Sequence, residues 1–212
     1  MGTIKEDVQS GIHLRQFAAE RPLLVPFLAN FDVNNAYSRK AHNTIISAYL
    51  LGPDTAVKQQ FGLSGEVLLV ISDFPTIQPR TMQAVERVMS ELPALGRVDP
   101  TVFFLITPDP NAVSWMQNHN FLNPQTRIPV ILNSQRIRSA SQDDYMVRQA
   151  IADQLYSRDL FNDQLPLRTD QFFVGRDKVV AEVLAALKQS HNRGLFGLRK
   201  TGKPRFCSKC AG

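Results

Sequence analysis

Apolar positions along this chain gather into blocks separated by polar, proline- or glycine-bearing breaks. Three blocks, "GEVLLVISDF" (65–74), "DPTVFFLITPD" (99–109) and "TRIPVILN" (126–133), are continuous apolar runs. Such runs predict strands covered on both faces. Between them, "QPRTMQAVERVMSELPALG" (78–96) places Met82, Val85, Val88, Met89 and Leu92 on one helical stripe, and "NAVSWMQNHNFL" (111–122) reads as a second helix. Strand, helix, strand, helix, strand at this spacing predicts an α/β layered domain with a mainly parallel sheet, because each helix returns the chain to lay the next strand alongside.

The flanks are less regular. Residues 1–20 are polar and weakly periodic and read as an N-terminal arm or short lead-in helix; "RPLLVPFLANF" (21–31), with two prolines, reads as extended. "NNAYSRKAHNTIISAYLLG" (34–52) places Ala41, Ile45, Ala48 and Tyr49 at helical spacing, with Asn34 or Asn35 as cap and Gly52 as stop, and predicts a helix. "TAVKQQFGLSG" (55–65) is read as a strand. "SQDDYMVRQAIADQLYSRDLF" (141–161) predicts a long helix with Tyr145, Val147, Ile151, Leu155 and Leu160 as its apolar members. The α/β effector or adaptor domain is therefore drawn at 21–161, followed by a polar linker at 162–171, "NDQLPLRTDQ".

Composition and charge narrow the classes. No apolar run approaches the roughly 18–20 residues of a membrane helix, and the N-terminus lacks the apolar core of a secretory signal, so a cytoplasmic protein away from membranes is expected. Both cysteines, Cys207 and Cys210, lie in the last six of 212 residues, so the body offers no thiol to bridge. The net charge of +5 is exceeded by the six cations from Arg193 onward, where no acid occurs. The body before Arg193 is close to neutral, which argues against nucleic-acid binding by overall charge and leaves a protein partner or self-association through the α/β domain as the expected interaction.

Candidate chemistry in the body rests on acids at element ends. Asp73 and Asp109 follow the first two buried strands and Asn133 ends the third, where ligands of open parallel sheets bind. Asp and Asn also cap the helices that follow strands. Asp54 in "GPD", with Glu66 opening an apolar strand, is similar to the P-D…(D/E)-x-K arrangement in which two carboxylates hold magnesium and a lysine positions water; Leu68 stands at the lysine position. A metal-dependent nuclease or nucleotide-processing enzyme is thus the alternative to an adaptor. The four histidines show no metal-ligand spacing, and "CSKC" lacks the further ligands that zinc needs.

The segment 172–203 carries the most specific pattern. "GLRKTGK" (197–203) matches seven positions of G-x-x-x-x-G-K-[ST], in which backbone N–H groups curl around phosphates, the lysine reaches the terminal phosphates and the last hydroxyl binds magnesium. Pro204 takes the eighth position and supplies neither hydroxyl nor N–H. Upstream, "FFVGRDKVVAEVLAAL" (172–187) resembles the box that introduces the nucleotide module of bacterial STAND and related AAA-like P-loop ATPases. The resemblance implies ATP and magnesium as cofactors of the intact family, with Phe173, Val174, Gly175 and Arg176 beside the base and Gly197, Lys200, Thr201, Gly202 and Lys203 around the phosphates. It implies an N-terminal domain acting as effector or adaptor, on a chain expected to be truncated just after the Walker A motif and so unable to hydrolyse ATP, because the second acidic strand the family uses is missing. Prefixing one nucleotide to the codons of "PRFCSKC" permits Thr, then Ser and three apolar residues, as a P-loop and its helix would read, so 204–212 is expected to be an out-of-frame tail; that origin requires the downstream DNA to encode a strand ending in Asp in the other frame. An inert remnant of a disrupted gene is the remaining alternative.

Overall fold

The computed structural model describes residues 2–41, 44–92, 95–122, 127–139, 143, 145–155, 181–182, 185–186 and 188. The chain divides into two compact units, Met1–Ser157 and Arg158–Gly212. In the second, the described positions 181–182, 185–186 and 188 are helical; the expected linker (162–171), the "FFVGRD" box, the P-loop-like stretch and the tail lie outside the described residues.

The first unit is built on a five-stranded sheet in the order β1-β2-β3-β4-β5, formed by Phe31–Ala41, Thr44–Pro53, Glu66–Ile71, Val98–Thr107 and Ile128–Asn133. β1 and β2 pair antiparallel, as do β2 and β3; β3, β4 and β5 run parallel. The three apolar runs are the parallel strands, and helices α3 (Pro79–Glu91) and α4 (Ala112–Leu122) are their crossovers. The sheet is mixed because β2 runs against its neighbours, while its latter part is parallel.

Alternation along each strand divides the core in two. Val67, Leu69 and Ile71 of β3 with Val102, Phe104 and Ile106 of β4 face one cluster; Leu68, Val70, Phe103 and Leu105 face the other. The second cluster is roofed by Met82, Val85 and Val88 of α3 and by Ala112 and Met116 of α4. The first is roofed by α1 (Leu14–Leu24), α2 (Thr55–Phe61), α5 (Ser134–Ser139) and α6 (Met146–Leu155). Helices on both faces of one sheet make a three-layer α/β/α sandwich. In the first cluster Phe27, Phe31 and Phe104 meet edge to face, with ring centroids 5.2–6.2 Å apart, each pair adding roughly 0.5–1.5 kcal/mol beyond the area it buries.

Several sequence expectations are corrected here. Residues 34–41 and 44–52 belong to strands β1 and β2 rather than to a helix: Ser47, Tyr49 and Leu51 turn to one face and Ile46, Ala48 and Leu50 to the other, all buried. The helical spacing of Ala41, Ile45, Ala48 and Tyr49 does not reflect the backbone: Ala48 and Tyr49 lie on opposite, equally buried faces of β2. Residues 55–61 are the helix α2, opened by the Asp54 carboxylate, which accepts from the Val57 N–H at 2.7 Å, and closed by Gly62 at φ +65°. Glycine, lacking a Cβ, adopts that left-handed conformation without steric cost.

The proline-bearing stretch 21–31 is likewise not extended through its length. α1 continues through Pro22 into a 3-10 turn at Val25–Ala29. The backbone bond forfeited at Pro22 is offset by the burial of Leu23, Leu24 and Phe27, each at most 2% exposed. Residues 2–20 are folded onto the domain rather than free as an arm. Val33 donates to the Thr3 carbonyl at 2.8 Å and Lys5 donates to that of Val33 at 3.0 Å, so the chain start lies along the outer edge of β1. A Cβ at Gly11 would strike the Ala36 carbonyl, so the approach there needs glycine.

At the opposite edge, the Gln154 amide accepts from the Ile131 N–H at 2.8 Å and donates to the Ile131 carbonyl at 2.9 Å. A side chain from α6 thereby caps the outward peptide groups of edge strand β5, which would otherwise invite another strand. On α6, Met146, Val147 and Ile151 face the core while Tyr145, expected among the apolar members, is 73% exposed just before the helix.

Phe104 sits at the centre of the aromatic trio with no exposure. Phe104→Ala should destabilise the first unit by about 3–5 kcal/mol, through lost burial plus the cavity left behind. Chemical denaturation of wild type and variant measures this, and a loss below about 1 kcal/mol would show that the trio is not central to the core.

Candidate functional site

The acids singled out in the sequence divide between the two ends of the sheet. Asp54 and Glu66 lie at the end where β2 finishes and β3 starts; Asp73, Asp109 and Asn133 lie at the carboxyl end of β3, β4 and β5. They therefore do not form one four-carboxylate pocket.

At the first end, Asp54 caps α2 and also receives Asn30 Nδ2 at 3.4 Å. Glu66 Oε1 accepts from Arg97 Nη2 and from Asn34 Nδ2, each at 2.6 Å. Leu68, at the position a nuclease lysine would occupy, has no exposure and packs in the second core cluster. Between these groups the buried Asp99, which sequence reasoning did not single out, accepts four hydrogen bonds: Ser64 N–H and hydroxyl on one oxygen, Thr101 and Val102 N–H on the other. Half-buried Arg127 feels this carboxylate, although burial, the larger effect, lowers its pKa.

At the carboxyl end, Asp109 is buried and accepts from Ile77 N–H at 2.7 Å and from Asn111 N–H at 2.8 Å, pinning the loop before α3 to the end of β4. Asn133 Oδ1 receives the Gln135 and Arg136 N–H groups that open α5, and its Nδ2 donates to the Pro108 carbonyl. Asp73 is exposed and makes no hydrogen bond with the described residues. Among the described residues no three His, Cys, Asp or Glu side chains converge as metal ligands, and no helix is long and apolar enough to cross a membrane.

One buried carboxyl was not anticipated. Glu20 lies on the buried stripe of α1 with Phe17 and Leu24 and is only 8% exposed. Tyr49 Oη donates to it at 2.7 Å, Ser47 Oγ at 2.8 Å and Gln16 Nε2 at 3.3 Å, and Gln16 also bonds Ser47. Burial raises the Glu20 pKa, the three hydrogen bonds pull it down less strongly, and the Asp73 charge adds to the rise. Tyr49 is raised as well, by burial and then by its bond to Glu20. The cluster braces α1 against β2 as a hydrogen-bonded group that resists ionisation. An acid on an otherwise apolar helical stripe was the sequence signal for it.

A second feature opens on the other face. A groove of about 380 Å³ runs between the end of β1 and α3, lined by Arg39, Lys40, Arg80, Gln83, Ala84, Arg87, Val88 and Glu91. Glu91 pairs with Arg39 and, at 3.1 Å, with Arg87 Nε. Lys40 and Arg80 have no ion pair among the described residues.

Comparison with known protein families, curated proteins and solved structures finds no match. The nucleotide-site candidates Val174, Gly175, Arg176, Gly197, Lys200, Thr201, Gly202 and Lys203 lie outside the described residues.

Because the folded-state value of Glu20 is raised, the native protein keeps a proton that the unfolded chain releases near 4.5. Its contribution to stability is intact below that pH and is lost as pH rises through the folded value. Glu20→Gln keeps the size and cannot ionise. Thermal melts should show the variant gaining on wild type as pH rises above about 4.5, with a constant difference below it; a difference independent of pH would contradict a buried, proton-holding Glu20.

Proposed function

We propose that residues 1–157 are an effector or adaptor domain of a P-loop signal-transducing ATPase, acting by binding rather than by catalysis. The observation that carries this reading is the division of the chain at Ser157/Arg158, ahead of the "FFVGRD" and "GLRKTGK" patterns. A compact sandwich followed by the opening pattern of a nucleotide module is the arrangement the resemblance implies. The acids support a binding role: Asp54, Glu66 and Asp109 are each engaged by caps, ion pairs or loop contacts, leaving Asp73 as the free carboxylate of the four candidates.

In the second unit, the backbone around Gly197 and Gly202 together with Lys203 would hold the phosphates of ATP, assisted by Lys200 and Thr201, and Val174, Gly175 and Arg176 would lie at the base. Pro204 offers no hydroxyl for magnesium and no N–H for phosphate. Bound nucleotide would thus be held weakly and without the metal arrangement that hydrolysis needs. The expected partner of the sandwich is a protein or a second copy of the chain.

The purified chain should show no magnesium-dependent ATP hydrolysis above background in a phosphate-release assay. Turnover that disappears in Lys203→Ala would contradict this reading.

A further inference from the structure

The groove between β1 and α3 is strongly cationic. Among the described residues four cations, Arg39, Lys40, Arg80 and Arg87, line it against one carboxylate, Glu91. That surplus is concentrated in a body whose total charge is close to neutral, so it is a local feature and not a sample of the average surface. The cations come from two elements that the fold brings together. Arg39 and Lys40 stand near the end of β1, on the part of the hairpin that extends past the last β2–β3 pair, Ser47↔Ile71. Arg80 and Arg87 stand two turns apart on α3, with Gln83 and Ala84 between them.

Fold stability does not account for this arrangement. Arg80 occupies the first turn of α3, where the helix dipole favours acids and none is present. Arg80 and Arg87 are exposed, so neither contributes a buried contact. Glu91 draws Arg39 and Arg87 together at one side of the groove, which fixes two guanidinium groups while Lys40 and Arg80 are left for another anion.

We propose that this groove binds a compact polyphosphate, of the class carried by nucleoside polyphosphates, at a site of the first unit separate from the P-loop-like stretch. Guanidinium forks match phosphate oxygens in pairs, and three of the four cations are arginine. Arg80 and Arg87 are separated by about 10 Å along the helix axis, a span that a short chain of bridged phosphates covers. The volume falls in the range of small-ligand pockets. Among the described residues the lining contains no aromatic side chain, whereas binding of unstacked nucleic-acid bases relies on aromatic platforms. Recognition therefore falls on the phosphates. The inference does not depend on whether the second unit binds nucleotide.

Calorimetric titration of the full chain with inorganic tripolyphosphate at fixed moderate salt tests it. The double variant Arg80→Ala, Arg87→Ala should weaken binding at least about tenfold, with Arg80→Ala alone intermediate, and the binding that persists in Lys203→Ala should show the same dependence on Arg80 and Arg87. Both groove positions are exposed, so a thermal melt matching wild type shows that the variants fold. Unchanged binding in the double variant, or binding lost in Lys203→Ala, would overturn the proposal. So would a duplex oligonucleotide that displaces tripolyphosphate and itself loses affinity in the double variant, since the groove would then be a nucleic-acid surface.

Discussion

The sheet is covered on both faces, and this constraint organises the rest of the first unit. Burying both sides of β3, β4 and the middle of β2 requires nearly every residue there to be apolar, which places Val67–Ile71 and Val102–Ile106 in two opposed cores. Polar groups are pushed to strand ends, helix caps and outer faces. The two edges need their own solutions: residues 3–5 lie along β1, and the Gln154 amide caps Ile131 on β5.

The same constraint explains what the acids do. A carboxylate at the end of a buried strand stands beside unpaired N–H groups, and Asp54, Asp99 and Asp109 each satisfy them. Positions that suggested catalysis in the sequence are in large part the fastenings of the fold. Glu20 is the exception inside the core, accommodated because Tyr49, Ser47 and Gln16 surround it with donors. The concentrated charge that remains lies outside the layers, on the outward side of α3 and the end of β1, where the fold places no demand on it.

How much of this was legible depended on how directly pattern maps to geometry. The runs 67–71, 102–107 and 128–132 could be read as buried strands, and the stripe Met82, Val85, Val88 as a helix, because length and period agreed. β2 was not, because burying both faces of Ile46–Leu51 erases the polar alternation that marks a strand. α2 is only seven residues long, too short for a periodic signal, although Asp54 and Gly62 marked its ends. The sequence placed the candidate acids at element ends, but could not show that Asp54, Glu66 and Asp109 are engaged by a cap, an ion pair and loop contacts. The groove was invisible because Arg39 and Arg87 are far apart in the chain and meet through Glu91.

The central proposal is that the sandwich acts by binding rather than by catalysis. Its most direct test is to assay the full chain for magnesium-dependent cleavage of DNA and of nucleotides, alongside Asp54→Ala, Asp73→Ala and Asp109→Ala, and to record the stability of each. The account predicts no cleavage by any of them, with Asp54→Ala losing about 0.5–2 kcal/mol through its missing cap, Asp109→Ala losing about 1–3 kcal/mol through the buried N–H groups left unpaired, and Asp73→Ala nearly unchanged. Cleavage by the wild type that vanishes in Asp73→Ala or Asp109→Ala, while the variant remains folded, would contradict it.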